Sequence, residues 1–227
     1  MKSPLLEKLA LNQVFASLNE SDLTELAQLS ISRDYDKDAW IVFYGDIWPN
    51  LFWIESGLIT ALKESPGGRS LIVATIEPGD VFWGTALFLD HAPMPVGLIA
   101  EKASRIHIWP RERILPIFLR NGKMSWELSR MMVNRMQHAS DIVEELAFQS
   151  IPGRLARLLI DRYGEEDGPV ARDLTLDEMA AHIGSTREMV CRALYRFADD
   201  DMIEITRTEF TFTNRDQLSQ LAHKHTD

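Results

Sequence analysis

Four charged residues near the C-terminus have the types and spacing to read nucleic-acid bases: Arg187, Glu188, Arg192 and Arg196. On a helix they fall along the first turns of an outer face, while Met189 or Val190, Leu194 and Phe197 supply an inner one. An arginine in a major groove can donate two hydrogen bonds to guanine O6 and N7, and a glutamate can accept from cytosine N4. Side chains at the N-terminal end of such a helix are the ones that reach base edges. Ser185 and Thr186, just ahead of them, complete the candidate contact set.

Those side chains need a rigid mount, and the preceding residues read as one. Thr175-Leu176-Asp177-Glu178 fits a capping box, in which a hydroxyl bonds one orphan amide and a glutamate bonds back to the cap. The helix it opens carries Leu176, Met179 and Ala180 and stops at Ile183-Gly184; Ser185-Thr186-Arg187-Glu188 then reads as a second capping box. Two capped helices joined by a tight glycine turn make a helix-turn-helix. Ile203–Thr206 and Phe210–Thr213, joined through Arg207-Thr208-Glu209, read as a hairpin wing. Pattern alone leaves a second reading open, an ordinary helical hairpin with a solvated Arg/Glu face. Charge weighs on that side: the chain carries −10 overall, and residues 151–227 hold ten Lys/Arg against fifteen Asp/Glu. A DNA ligand therefore rests on where the arginines sit, since net charge is a weak veto.

Upstream the periodicity changes twice. Leu5 to Leu29 reads as short helices, one starting at Ser21-Asp22. From Ile31 to about Ile108 short β-type runs alternate with turn residues: Trp40–Tyr44, Leu51–Ile54, Leu58–Leu62, Leu71–Ile76 and Val96–Ala100, split by Gly45, Gly57, Pro66-Gly67-Gly68 and Pro78-Gly79-Asp80. That spacing predicts an antiparallel barrel or jelly roll. Beyond Pro116, Leu128, Met132, Arg135, Ala139, Ile142 and Leu146 recur at intervals of 4, 3, 4, 3, 4. Such a seam suggests a coiled-coil homodimer, with Met131, Met136 and Val143 turned toward the barrel; a Met-rich core helix fits equally. Ser150-Ile151-Pro152 marks a break and restart, and the next helix ends at Gly164. The fold expected is α+β, with residues 1–116 a β-roll, 117–149 a dimerisation helix and 150–227 a winged helix-turn-helix.

Composition narrows the remaining classes. No stretch of the 227 residues is long and apolar enough to cross a bilayer, and polar residues at Glu7, Lys8, Asn12 and Gln13 interrupt any signal-peptide core. No membrane partner and a cytoplasmic location are expected. Cys191 is the single cysteine, which excludes an intrachain disulfide, a Cys-based zinc site and a Cys-ligated iron–sulfur cluster. A ligand-sensing module without DNA binding is one alternative, and a cupin-type metalloenzyme built on the jelly roll is another. Metal ligands are hard to find, because His91 and His107 are far apart and the His223/His225 pair lies in the polar tail. No catalytic residue is assigned.

The segment Leu174–Ile205, centred on Gly184-Ser185-Thr186-Arg187-Glu188-Met189-Val190-Cys191-Arg192, resembles the CRP/FNR family of transcription regulators. The likeness extends over nearly the whole chain, through Gly45, Gly57, Pro78-Gly79-Asp80 and Gly84 in the roll and Gly153-Arg154-Leu155-Ala156 after the long helix. It implies double-stranded DNA and RNA polymerase as partners, and Arg187, Glu188 and Arg192 as readers of a palindrome related to TGTGA/TCACA. It also implies an effector pocket around Trp83, Gly84, Thr85 and Phe88, facing His138, Ala139 and Ser140. Members that bind cyclic nucleotides carry Gly-Glu and Arg-Ser pairs there. Here Gly84-Thr85 replaces the first, and no arginine lies between Arg69 and Arg105. Cyclic AMP is thus not expected, and the pocket reads as aromatic and uncharged, suited to haem or a small hydrophobic ligand.

Overall fold

The computed structural model describes residues 4–164, 168–206 and 208–223. Part of the Glu165–Pro169 charge run, Arg207 in the wing and His225 lie outside them. In chain order the elements are α1 (Pro4–Leu11), α2 (Glu20–Leu29), β1 (Ile31–Tyr35), β2 (Trp40–Val42), β3 (Asn50–Glu64), β4 (Ser70–Ile76), β5 (Val81–Trp83), a 3-10 turn (Thr85–Leu87) and β6 (Gly97–Pro110). Then follow α3 (Arg111–Arg120), α4 (Gly122–Phe148), α5 (Ile151–Tyr163), β7 (Pro169–Ala171), α6 (Leu176–His182), α7 (Arg187–Asp199), β8 (Ile203–Ile205), β9 (Glu209–Phe212) and α8 (Arg215–Ala222). The chain divides into two compact units, residues 1–63 with 74–138, and residues 64–73 with 139–227.

The first unit is built on the antiparallel order β1-β6-β3-β4, with β2 also pairing β6 and β5 pairing β3. Alternation along β3 sorts its side chains. Leu51 and Trp53 join the core shared with α1, α2, α3 and the start of α4, while Phe52 and Ile54 are buried facing the other way. Trp109 is the anchor on the helical side. Fully buried, it donates from Nε1 to the Leu26 carbonyl at 2.7 Å and lies 5.7 Å from the Phe15 ring. The two runs expected at Leu51–Ile54 and Leu58–Leu62 are one strand, and Gly57 is a bulge inside it. Pairing with β6 shifts register between Ile54 and Ile59, and Gly57 has φ +99. A Cβ there would lie 2.5 Å from the Ser104 backbone, so only glycine lets the strands approach. The second helix is capped by Asn19, whose side chain accepts from the Asp22 amide at 2.9 Å, rather than opening at Ser21.

The expected coiled-coil seam is corrected by what covers it. Leu128 is 3 % exposed in the first core, Met132 packs on that core, and Arg135 lies over the Phe82 and Trp83 rings. Ile142 and Leu146 line a cavity of about 150 Å³ with Leu71, Leu158 and Ile183 in the second unit. Of the six, Ala139 stands free of these contacts and exposed, and Leu146 is still 38 % exposed, so the first half of the seam is covered and its end is not. The exposed large apolar side chains of α4 are Trp126, Val133, Met136, Val143, Leu146 and Phe148, including two that the spacing had turned toward the barrel and one, Leu146, from the seam itself. A 4-3 repeat defines a helix face but not the surface that covers it.

The second unit gathers α5, α6, α7 and α8 around Leu155, Leu159, Met179, Val190, Phe197 and Leu218, all fully buried. Ser150 caps α5 by accepting from the Gly153 amide at 3.2 Å, and Gly164 ends it, as the sequence predicts. The wing is a three-stranded antiparallel sheet of order β7-β9-β8. The strand β7 and the helix α8 have no counterpart in the sequence reading.

Candidate nucleic-acid interface

The mount of the arginines is set by two caps and one glycine. Thr175 closes the predicted capping box, donating its amide to Glu178 Oε2 at 2.6 Å while its hydroxyl accepts from the Glu178 amide at 3.2 Å. Gly184, at φ +61, turns the chain between α6 and α7. A Cβ on it would meet Leu146 Cδ2 at 2.8 Å and Leu71 Cδ1 at 3.1 Å, so the turn is pressed against other side chains of its unit. The second expected capping box is absent. The cap of α7 is Thr186, whose hydroxyl accepts from the Met189 amide at 3.3 Å. With the helix starting one residue later, Met189 holds the back-bonding position and cannot accept, which leaves Glu188 free to accept from Arg192 at 2.8 Å. Ser185 is buried and its hydroxyl has no partner among the described residues, so it does not belong to the exposed contact set.

The remaining candidates do share a surface. Side-chain exposure is 67 % for Arg187, 78 % for Glu188, 68 % for Arg192 and 72 % for Arg196. Val190, Ala193, Leu194 and Phe197 fill the opposite face. Each arginine lies near a carboxylate: Arg187 3.4 Å from Asp177, Arg192 2.8 Å from Glu188 and Arg196 3.7 Å from Asp200. Helical periodicity puts one further residue in the middle of this face, Tyr195, which is 64 % exposed. Its spacing of three from Arg192 was the signal that could have found it. Cys191 beside it is half-buried.

A buried cation holds the mount together. Arg154, 9 % exposed, donates from Nε to the Ile183 carbonyl at 2.9 Å, and from Nη1 to the carbonyls of Gln149 at 2.7 Å and Glu145 at 3.3 Å. Burial pulls its pKa below the ordinary arginine value, and the charge of Glu145 works in the other direction. Nearby, Asp173 accepts from Arg162 Nη2 at 2.6 Å and from the Tyr163 hydroxyl. The Arg162 guanidinium holds the Asp173 carboxyl low, and burial with the Asp173 contact pushes the Tyr163 phenol up to about 12.

The expected effector residues are only partly brought together. Trp83, Thr85 and Phe88 line an apolar cavity of about 560 Å³ with residues of α3 and the first half of α4. Gly84 cannot carry a side chain, since a Cβ would lie 1.7 Å from the Trp48 carbonyl oxygen. His138, Ala139 and Ser140 are exposed and do not line that cavity. The aromatic group is not uncharged, which corrects the sequence reading. Arg135 Cζ sits 4.4 Å from the Phe82 ring centre and 5.0 Å from that of Trp83, and Nη2 donates to the Val81 carbonyl at 3.0 Å. Burial pulls its pKa down. Elsewhere, His107 bridges Ser30 at 2.8 Å and Glu55 at 3.0 Å. Among the described residues no group of three or more His, Cys, Asp or Glu could hold a metal ion.

Comparison with known proteins adds the decisive observation. The profile of the Crp-like helix-turn-helix domain matches residues 153–221, and that of the cyclic nucleotide-binding domain matches residues 32–121. The chain belongs to the CRP/FNR family. A CRP-like cAMP-activated global transcriptional regulator of Mycobacterium tuberculosis is 24 % identical over 222 residues, 95 % of this chain and 99 % of that one. The fold matches a CRP/FNR-family transcriptional regulator from Eubacterium rectale with a TM-score of 0.77 at 21 % identity, covering 93 % of this chain and 98 % of the other. It also matches the c-di-GMP responsive global regulator CLP of Xanthomonas campestris, with a TM-score of 0.74 at 18 % identity over 86 % and 99 % of the two chains. The CRP/FNR assignment makes the chain a transcription regulator rather than an enzyme, and no helix among the described residues is long and apolar enough to cross a membrane.

Replacing Arg154 with leucine takes the guanidinium donor from the Ile183 and Gln149 carbonyls, while Glu145 keeps the Gln149 amide. The expected loss is on the order of 1–3 kcal/mol, the cost of a buried group left unpaired. Chemical denaturation should show a lowered midpoint, partly restored by lysine, whose single ammonium reaches fewer carbonyls. An unchanged midpoint for the leucine variant would speak against the role.

Proposed function

We propose that the protein is a sequence-specific regulator that binds an inverted-repeat operator as a homodimer, reads bases with Arg187, Glu188 and Arg192, and responds to an effector other than cyclic AMP. The observation that carries this is the exposed face of α7, three arginines and one glutamate held out from a capped helix-turn-helix. Thr186 and Arg196 are assigned to its rim, where phosphates pass. Two such helices related by a two-fold axis meet half-sites about one helical turn apart. In functional terms residues 1–116 form the effector roll, 117–149 the dimerisation helix and 150–227 the DNA-binding domain. RNA polymerase is the proposed protein partner and the cytoplasm the proposed location, by likeness to the named global transcriptional regulators.

The effector reading rests on charge. Thr85 stands where a carboxylate would meet a ribose, no arginine lies between Arg69 and Arg105, and Arg135 is already engaged by Val81 and two rings. An anionic phosphodiester desolvated there without a partner would lose several kcal/mol, on the order of the cost of one buried ion. The apolar cavity beside Trp83 and Phe88 supports a small hydrophobic ligand instead. Titration calorimetry with cyclic AMP should detect no micromolar binding; micromolar affinity overturns this part.

Dimerisation is supported by the free stripe of Trp126, Val133, Met136 and Val143, apolar side chains that otherwise face water along one helix. In sedimentation, Val133→Glu should shift the protein toward monomer while helical circular dichroism is kept. Leu128→Ala should instead cost about 2–5 kcal/mol of stability, as a core truncation does. A wild type that is monomeric at micromolar concentration removes the dimer.

Selection from a random DNA library should return an inverted repeat with guanines in each half-site. Arg187→Ala is expected to lose about 1–3 kcal/mol on that site and to relax preference at one base pair. Equal weakening on selected and unrelated DNA would take base reading away from Arg187.

A further inference from the structure

The carboxylate partners of the three arginines are not alike. Arg192 and Arg196 are paired with Glu188 and Asp200 at i,i+4 spacing, which any solvated helix can offer. Arg187 is different: its partner, Asp177, comes from the other helix of the motif, in the first turn of α6. The contact is made through Arg187 Nη1 at 3.4 Å. It therefore crosses the helix-turn-helix and ties the position of one guanidinium to the rigid mount rather than to its own helix.

We propose that Asp177 is a positioning residue for base readout, orienting the Arg187 guanidinium and biasing it away from phosphate; this rests on Arg187 being a base reader. Three physical points carry it. Arg187 is the first residue of α7 and two-thirds exposed, so an unrestrained side chain of four torsions would sample many orientations, only a few of which present two N–H groups in the plane of a base. A carboxylate 3.4 Å from Nη1 biases that plane, by the modest amount an exposed pair supplies, and leaves the Nε–Nη2 edge as a two-donor fork, the geometry that guanine O6 and N7 accept. Asp177 is itself exposed at 70 %, so its negative charge also stands where a DNA backbone drawn to Arg187 would pass. A phosphate must approach Arg187 against that charge, whereas an uncharged guanine edge does not meet the same repulsion. Asp177 thus favours base over phosphate and costs some affinity for DNA of any sequence.

The competing account is that Asp177 merely complements the N-terminal dipole of α6, as first-turn acids do. The two are separated by measuring sequence preference, which a dipole effect does not move. Wild type, Asp177→Asn, Asp177→Glu and Arg187→Ala are compared by selection from a random library and by titration on the selected site and on an unrelated duplex, at one salt concentration. Loss of an exposed pair is expected to lower the ratio of specific to nonspecific affinity by roughly twofold to fivefold in Asp177→Asn. Preference should flatten at the same base pair that Arg187→Ala flattens, and Asp177→Glu should retain it. If Arg187→Ala flattens one base pair and Asp177→Asn leaves ratio and preference unchanged, the positioning role alone is overturned. If Arg187→Ala flattens none, the base-reading assignment falls and the positioning role falls with it.

Discussion

The second unit depends on one buried guanidinium placed where two helices run out of hydrogen bonds. The last carbonyls of a helix have no amide to accept from. Gln149, just past α4, and Ile183, which caps the end of α6, are carbonyls of this kind, while the Glu145 carbonyl of α4 accepts one amide, that of Gln149 at 3.0 Å. Arg154 donates to all three, so one cation satisfies two helix ends and sits favourably against both C-terminal dipoles. The glycine that turns the helix-turn-helix follows Ile183 directly. Its close approach to Leu146 and Leu71 means that the angle at which α7 leaves the turn is fixed by packing beneath it as well as by the caps. A lysine could do this only in part, because a point charge on a flexible stem lacks the planar fork.

The proposed reading surface is compatible with an acidic protein because exposed ion pairs are weak. The arginines of α7 are each within reach of a carboxylate, yet all are more than two-thirds open to water. Such pairs contribute about 0–1 kcal/mol and exchange readily for a better acceptor. The net charge of −10 therefore limits loose attachment to DNA more than it limits a fitted complex. The acidity of the chain is therefore no obstacle to the proposed recognition surface.

In the first unit, a partly buried cation lies among the aromatic rings beside the apolar cavity. Arg135 leans on Phe82 and Trp83 and donates to the Val81 carbonyl, which lets a guanidinium lie among aromatic rings. Trp83 belongs at once to this cluster and to the lining of the apolar cavity with Phe88.

The local signals in the sequence were strong wherever short-range chemistry decides structure. Thr175 with Glu178, Ser150 before Pro152, and Gly184 between two helices each name a cap or a turn, because the groups that satisfy one another lie within four residues. The exposed Arg/Glu face of α7 followed from periodicity for the same reason. What periodicity could not supply was the identity of the covering surface. The repeat through Leu128, Met132 and Arg135 marks a face of α4, but only the folded chain put that face on its own core and left Val133 and Met136 outside. Gly57 read as a turn until a strand at Ser104 made it a bulge. The one-residue shift of the α7 cap left Glu188 to pair with Arg192 instead of bonding back to the cap. Asp177 and Arg187, and Arg154 and Ile183, lie ten and twenty-nine residues apart, and sequence alone does not reveal the free energy of contacts between groups that distant. Caps, turns and faces are local and were written in the residues; partners across elements exist only once the chain has packed.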